Sequence, residues 1–298
     1  MDHKCPLSAA EAVDTIETIA GQHPGYRRAH AVGIGFDAVF KPNGAAASYT
    51  TAFHLLQEVP AVVRFSHSPP SPFMPHNLLP VKGMAVQFAL PDGEAANLTM
   101  TTVPVFISKT PEAFNELMHV ATKEPLSFTE KLKAIKEDSK FAAGWKIMKH
   151  FKIPRSFALQ RYYAIHAYFL KNETGQRQPV KFEWVPVLPG GSEKKYEGKE
   201  LEAELLDRLR HEPVAFDLVI RLGTPDDPTD DPTVDWPEER QRLVIGTLAI
   251  KGRREDNAEQ FVFDPTATTS GLECSDDPVL KFRSPAYAES ARRRLNGK

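Results

Sequence analysis

With Lys+Arg 37 set against Asp+Glu 39, the 298-residue chain is close to neutral at a formal charge of −2. A nucleic-acid binder working through its overall charge is excluded, and any basic function must be local. A hydrophobic fraction of 41% can bury a sizeable core, and the length suits one large domain or two ordinary ones.

Two cysteines, Cys5 and Cys274, make neither a disulfide framework nor a CxxC metal motif, and fit a reducing compartment. The start, "MDHKCPLSAAEAVDTIE", lacks the apolar core of a signal peptide. No apolar run approaches the ~20 residues of a spanning helix. The expected location is the cytoplasm, away from membranes.

In chain order, Ser8 with Glu11 forms a capping box that predicts a helix over Ala9 to Ala20. Extended text follows at His30 to about Phe40, 61–67, 83–90 and 97–106, separated in part by turn signals such as "KPNG" and "LPDG". Helices are predicted from Pro111 to Ala121, from the capping box Ser127/Glu130 through Ile135, and over Phe141 to His150. Strand text returns at 157–170 and 179–187. A charged helix is predicted from Lys199 to His211, and strands at 214–223, 242–250 and 259–265. The stretch "TPDDPTDDPTVDWPEE" (224–239) lacks the central glycine and ligand alternation of an EF-hand and reads as a solvated acidic loop. Strands, helices, then strands again predict an α+β domain whose strands could close into an antiparallel barrel.

The tail "KFRSPAYAESARRRLNGK" (281–298) surrounds one tyrosine with arginines. Pro285 suits the first turn of a terminal helix. That helix places Tyr287, Ser290 and Arg294 on one face, with Arg283 four residues before the tyrosine. A cation beside a phenol lowers its pKa from ~10 and favours phenolate, which is an axial ligand for haem iron in catalase. Arg294, roughly 10 Å along the helix, could reach a haem carboxylate. The alternative from these residues alone is an amphipathic helix with a wet arginine face. A second group gathers in "YRRAHAVGIGF" (26–36) and "PAVVRFSHS" (60–68). Strand alternation sets Arg27 and His30 on opposite faces unless the chain bends, and sets Arg64 and Ser66 on one face.

Taken together, "YRRAHAVGIGFDAVF", "PAVVRFS", "KGMAVQF", "VPVFISKTPEAF", "FDPTATTSGLECSDDPVLKFRSPAY" and Arg294 resemble the haem-containing catalase family, in the same order, from about residue 20 to 295. The most specific element is Arg-x3-Tyr-x6-Arg after "FDP". The chain resembles the minimal catalase-related haem peroxidases, reduced to the barrel core. The resemblance implies one catalase-core domain over 1–298: an antiparallel barrel of about eight strands with flanking helices. It implies haem b, with Tyr287 as the axial iron ligand and Arg283 as its hydrogen-bonded cation. His30 resembles the distal acid/base and Ser66 the hydroxyl that orients it. Arg27, Arg64 and Arg294 resemble propionate partners, and Phe106 and Phe114 aromatics of the distal side. His166 and Asp277 resemble a proximal-side pair. Where the family has an asparagine this chain has Thr101, a smaller hydroxyl able to donate one hydrogen bond in a different geometry. Ser68 and Pro80 replace a channel valine and carboxylate.

These features lead us to expect a peroxidase that spends hydrogen peroxide on small organic reductants, with weak catalase side activity. Rearrangement of fatty-acid hydroperoxides, a true minimal catalase and a haem carrier or sensor remain alternatives. A dimer or tetramer is expected, and nucleic-acid binding through "ARRRL" is not.

Overall fold

Alternation along β1 (Gly33–Pro42) buries Ile34, Phe36, Ala38 and Phe40 while Asp37 and Lys41 face out. The same period of two runs through β2 (Val59–His67), β3 (Lys82–Ala89) and β4 (Ala95–Thr101). These join β5 (Tyr162–Tyr163), β7 (Arg177–Val187), β8 (Ala215–Leu222) and β9 (Arg242–Arg253). The computed structural model describes residues 6–122, 127–142, 145–146, 152–187 and 200–297. Its antiparallel pairs run β7-β5-β4-β3-β2-β1-β9-β8, and β8 returns to β7, closing an eight-stranded barrel. Closure removes the free edges that an open sheet would expose. Two short strands, β6 (Tyr168–Lys171) and β10 (Leu272–Cys274), extend the sheet beyond β7.

The barrel is filled by side chains. Phe65 sits within 6 Å, ring to ring, of Phe36, Phe157, Tyr162 and Phe216, and Phe40 packs edge-on against Phe88 and Trp184. A cavity left by removing a core ring of this kind costs about 3–5 kcal/mol. With the apolar set inside, the polar set of β2 to β4 faces outward, and that outer face carries the site.

Helices flank this face. α1 (Ala9–Ala20) and α4 (Phe128–Glu137) both open on the capping boxes read from the sequence, and α3 (Pro111–Thr122) lies where expected. A single turn, α2 (Phe53–Leu56), follows β1, and α5 (Leu201–His211) precedes β8. The last helix, α6 (Pro278–Leu295), packs on α1 through Arg293, whose guanidinium meets Asp14 at 2.8 Å and Glu17 at 2.7 Å.

Several expectations need correction. α6 begins at Pro278, so Pro285 is interior, and the first-turn proline is the one that follows the Asp277 cap. The run 157–170 is two strands, because the chain leaves the barrel between Tyr163 and Tyr168 to start the extension. Residues 259–265 form no strand. Asp264 folds into a side-chain turn onto Thr266 N, and the carbonyls of Phe263 and Asp264 are taken by Thr99 Oγ1 (2.9 Å) and Asn97 Nδ2 (2.9 Å). β4 ends at Thr101 rather than at 106. Residues 224–239 are a loop, yet Trp236 is buried and Asp227 pairs with Arg240 at 2.8 Å, so its acids are only partly solvated. Most of the helix expected over Phe141 to His150 lies outside the described residues.

Candidate active site

Four cross-strand partners make one row on the outer face: Gly33, Ser66, Gly83 and Thr101. Two of them lack side chains, and the opening so made receives His30. The chain before β1 is not yet a strand, and His30 sits in the left-handed region at φ 54°, so the parity conflict with Arg27 does not arise. His30 N bonds Ser68 O (3.4 Å) and Ala31 N bonds Pro69 O (3.1 Å), which anchors the bend. The imidazole Nδ1 hydrogen-bonds Ser66 Oγ at 3.0 Å. A β-carbon on Gly83 would lie 2.6 Å from Ser66 Oγ and 2.9 Å from His30 Nδ1. Gly83 is therefore part of the site, and the sequence reading missed it. Its only signal is a glycine inside a strand. Burial, then the nearby cations Arg64, Arg283, Lys82 and Arg27, push the His30 pKa down to about 3, so the ring is neutral at physiological pH.

Thr101 corrects an expectation in detail. Its hydroxyl donates to Val103 O at 3.0 Å. The proton is engaged within the chain, and only oxygen lone pairs remain for a ligand.

Three arginines gather beside this row. Glu259 takes Arg27 Nε on one oxygen (3.0 Å) and Arg64 Nε on the other (2.8 Å). Arg27 also donates to Ala258 O and Phe261 O, and Arg64 to His30 O and Ala31 O. Glu259 is the second residue that sequence reasoning missed, since its partners lie some 200 positions away. Arg294 is 5% exposed, and its Nε and one terminal nitrogen have no partner among the described residues. Burial first, and Arg27 second, lower the Arg64 and Arg294 pKa values to about 10. Three guanidinium groups thus face one carboxylate.

On α6, Arg283 donates to Tyr287 Oη and, through its other terminal nitrogen, to His166 Nε2 at 3.1 Å. A guanidinium only donates, so Nε2 accepts and the ring proton lies on Nδ1, which donates to Asp277 Oδ2 at 2.6 Å. Burial is the main reason that His166 titrates near pH 4 and stays neutral. Burial alone would lower the Arg283 pKa, but the charge and hydrogen bond of Tyr287 outweigh it and raise it. Tyr287 also acts electrostatically on Arg27 and Arg64, so these groups share one region. Phe106 and Phe114 pack against each other at a tilt of 36° with ring centres 5.0 Å apart; neither has a ring contact or hydrogen bond to His30 or Tyr287 among the described residues.

The residues present fit a haem. Buried donors without acceptors call for anions. Arg294 supplies them in a cluster with cationic excess, and a tyrosine oxygen held by a guanidinium is a ligand suited to ferric iron.

A closed antiparallel barrel with this polar group on its outer face defines a catalase-type fold. The crystal structure of a fungal catalase superposes with a TM-score of 0.79 at 19% identity, covering 99% of this chain and 65% of that one. A family model described as Catalase matches residues 6–214. A catalase-related peroxidase of Mycolicibacterium paratuberculosis is 33% identical over 300 residues, 97% of this chain and 95% of that protein. Another, from Synechococcus elongatus, is 31% identical over 305 residues, 96% of this chain and 88% of its own. The chain belongs to the catalase family and is an oxidoreductase of the catalase and peroxidase kind, with a haem cofactor implied by the family. No helix among the described residues is long and apolar enough to cross a membrane.

Proposed function

We propose that the chain is a haem b peroxidase that uses hydrogen peroxide to oxidise small organic reductants, with weak catalase side activity. The observation that carries this reading is the relay from Asp277 through His166 and Arg283 to Tyr287. Arg283 sets a cationic donor on the phenol oxygen that would meet the iron. In this reading Tyr287 holds the iron, while Arg27, Arg64 and Arg294 hold the propionates. Bound haem supplies the redox chemistry that breaks the peroxide oxygen–oxygen bond.

Side chains do the rest. With its proton on Nδ1 and donated to Ser66 Oγ, neutral His30 keeps Nε2 free to take a proton from one oxygen of hydrogen peroxide and return it to the other. Ser66 sets the ring plane, and Gly83 leaves room for the pair. Phe106 and Phe114 wall the peroxide side. Thr101, its proton given to Val103, offers no N–H or O–H to a second peroxide. That supports oxidation of an organic donor over disproportionation. The same substitution supports a second reading, rearrangement of fatty-acid hydroperoxides, which product analysis after hydroperoxide feeding separates. The whole chain is read as one catalase-core unit, cytoplasmic and assembling as a dimer or tetramer.

The test is hydrogen peroxide consumption with and without an organic reductant, with oxygen release followed in parallel. Turnover that depends on the reductant is expected. Vigorous oxygen evolution without it makes the protein a true catalase. His30→Ala is expected to keep its haem and lose on the order of 10²–10⁴-fold in turnover. Turnover at the parental rate sinks the acid/base role.

A further inference from the structure

We infer that the end of the barrel holds a divalent transition-metal site of the zinc class, built by His67, His76 and Glu202. The three come from different parts of the chain: the last residue of β2, the loop between β2 and β3, and the first turn of α5. One ligand atom from each lies within 4.8 Å of the others. Two imidazoles and a carboxylate form the ligand set of open zinc sites, with a fourth position left for water.

Three observations lift this above a chance meeting of polar side chains. His67 is 2% exposed, and while its Nε2 meets Glu202 Oε1 at 2.7 Å, its Nδ1 has no partner among the described residues. An ion shared with Glu202 would be taken by Nε2, the nitrogen that already faces the carboxylate. The His76 and His67 rings are stacked, with centres 4.1 Å apart and planes 23° apart, so two imidazoles stand side by side next to the carboxylate. The backbone that presents His76 is pinned as well: Lys82, the cross-strand partner of His67, donates its Nζ to His76 O (2.7 Å) and Leu79 O (3.2 Å). The ammonium still acts electrostatically on His76, against the opposing charge of Glu202. Glu200 adds a further negative charge acting on His76.

Zinc takes its nitrogen and oxygen ligands at ~2.0–2.2 Å, so ligand atoms about 3–3.5 Å apart are needed. A rotation of the half-buried His76 side chain is the movement that the proposal requires. A bound ion then ties the β2–β3 loop and α5 to the barrel. The site is independent of the haem reading: His67 packs on Phe157 at 5.2 Å, beside the Phe65 ring, whereas Ser66 points to His30.

Zinc chloride is the probe, titrated calorimetrically into purified holoprotein after dialysis against a chelator, with thermal melts in parallel. One equivalent is expected to bind and to raise the melting temperature. His76→Ala and Glu202→Gln are each expected to weaken binding at least tenfold while peroxide turnover is unchanged. His211→Ala, at an exposed histidine outside the cluster, is expected to bind as the parent does. If the parent binds no zinc, or both cluster variants bind as tightly as the parent, the proposal is overturned. The parent measurement decides even if a variant fails to fold.

Discussion

Arg294 is buried with two guanidinium nitrogens unpaired among the described residues, a condition that costs free energy unless an anion arrives. Arg294→Leu is therefore expected to act with opposite signs on two measurements. It should raise the melting temperature of the haem-free protein and weaken haem affinity by roughly tenfold or more, in line with ~1.5–3 kcal/mol for a hydrogen bond to a charged group. Loss of stability in the haem-free state with unchanged haem affinity would make Arg294 an ordinary structural residue. Single residues also show what the sequence could and could not reveal. The shared face of Tyr287 and Arg294 was legible from helical period alone, whereas Arg283 joins it because the helix starts at Pro278, ahead of the start read from Pro285. Gly83 and Glu259 were not, since each acts through a distant partner: Gly83 through the register against Ser66, Glu259 through two arginines far off in sequence. The three arginines of "ARRRL" read as one basic run. They have separate fates: Arg292 pairs with Glu289 at the surface, Arg293 joins α6 to α1, and Arg294 enters the site.

At the scale of one element, α6 is where stability and chemistry meet, in Asp277. Its Oδ1 caps the helix by accepting from Val279 N (2.8 Å) and Leu280 N (3.2 Å), and its Oδ2 holds His166. Two substitutions separate these jobs. Asp277→Asn keeps a capping oxygen but sets an amide NH2 against the His166 Nδ1–H, so the haem absorption spectrum should shift while the cap remains. Asp277→Ala should lose the cap as well, about 0.5–2 kcal/mol, together with the shift. Equal stability in both variants would mean that the cap contributes nothing. The start of this helix was misread because a proline signals both first turns and interruptions, and only the Asp277 cap shows which proline has which role. Likewise, the segment 259–265 carries strand-like residues but spends its carbonyls on Asn97 and Thr99 side chains, a choice made by β4 and not by the segment itself.

Across the whole molecule, period-two alternation made the strands readable, while closure of the barrel depends on the β7–β8 pairing, which no local pattern encodes. Burial also writes a pH dependence into the fold. His30 is depressed to about 3, and His54 and His166 to about 4, each chiefly by burial. These rings stay neutral in the folded state but take up protons near pH 6.5 once unfolded. The unfolded chain then binds more protons, so stability is fully present above pH 6.5 and falls as pH drops from there towards 4 and 3. His54 is outside the site, fully buried, without a partner on either nitrogen among the described residues, and packed 4.8 Å from the Phe88 ring. Replacing it with leucine should remove about one proton of this difference near pH 5, flattening stability against pH by roughly 1 kcal/mol per unit. Urea unfolding at pH 5 and 6 measures the slope, and an unchanged slope would show that His54 is protonated alike in both states.

The central claim is that Tyr287, held by Arg283, is the iron ligand. The most direct measurement is the visible absorption spectrum of purified protein beside that of Tyr287→Phe. A haem band of high-spin, tyrosinate-ligated ferric iron is expected in the parent, and its loss or displacement in the variant. A colourless parent after reconstitution with haem, or identical spectra for the two proteins, would contradict it.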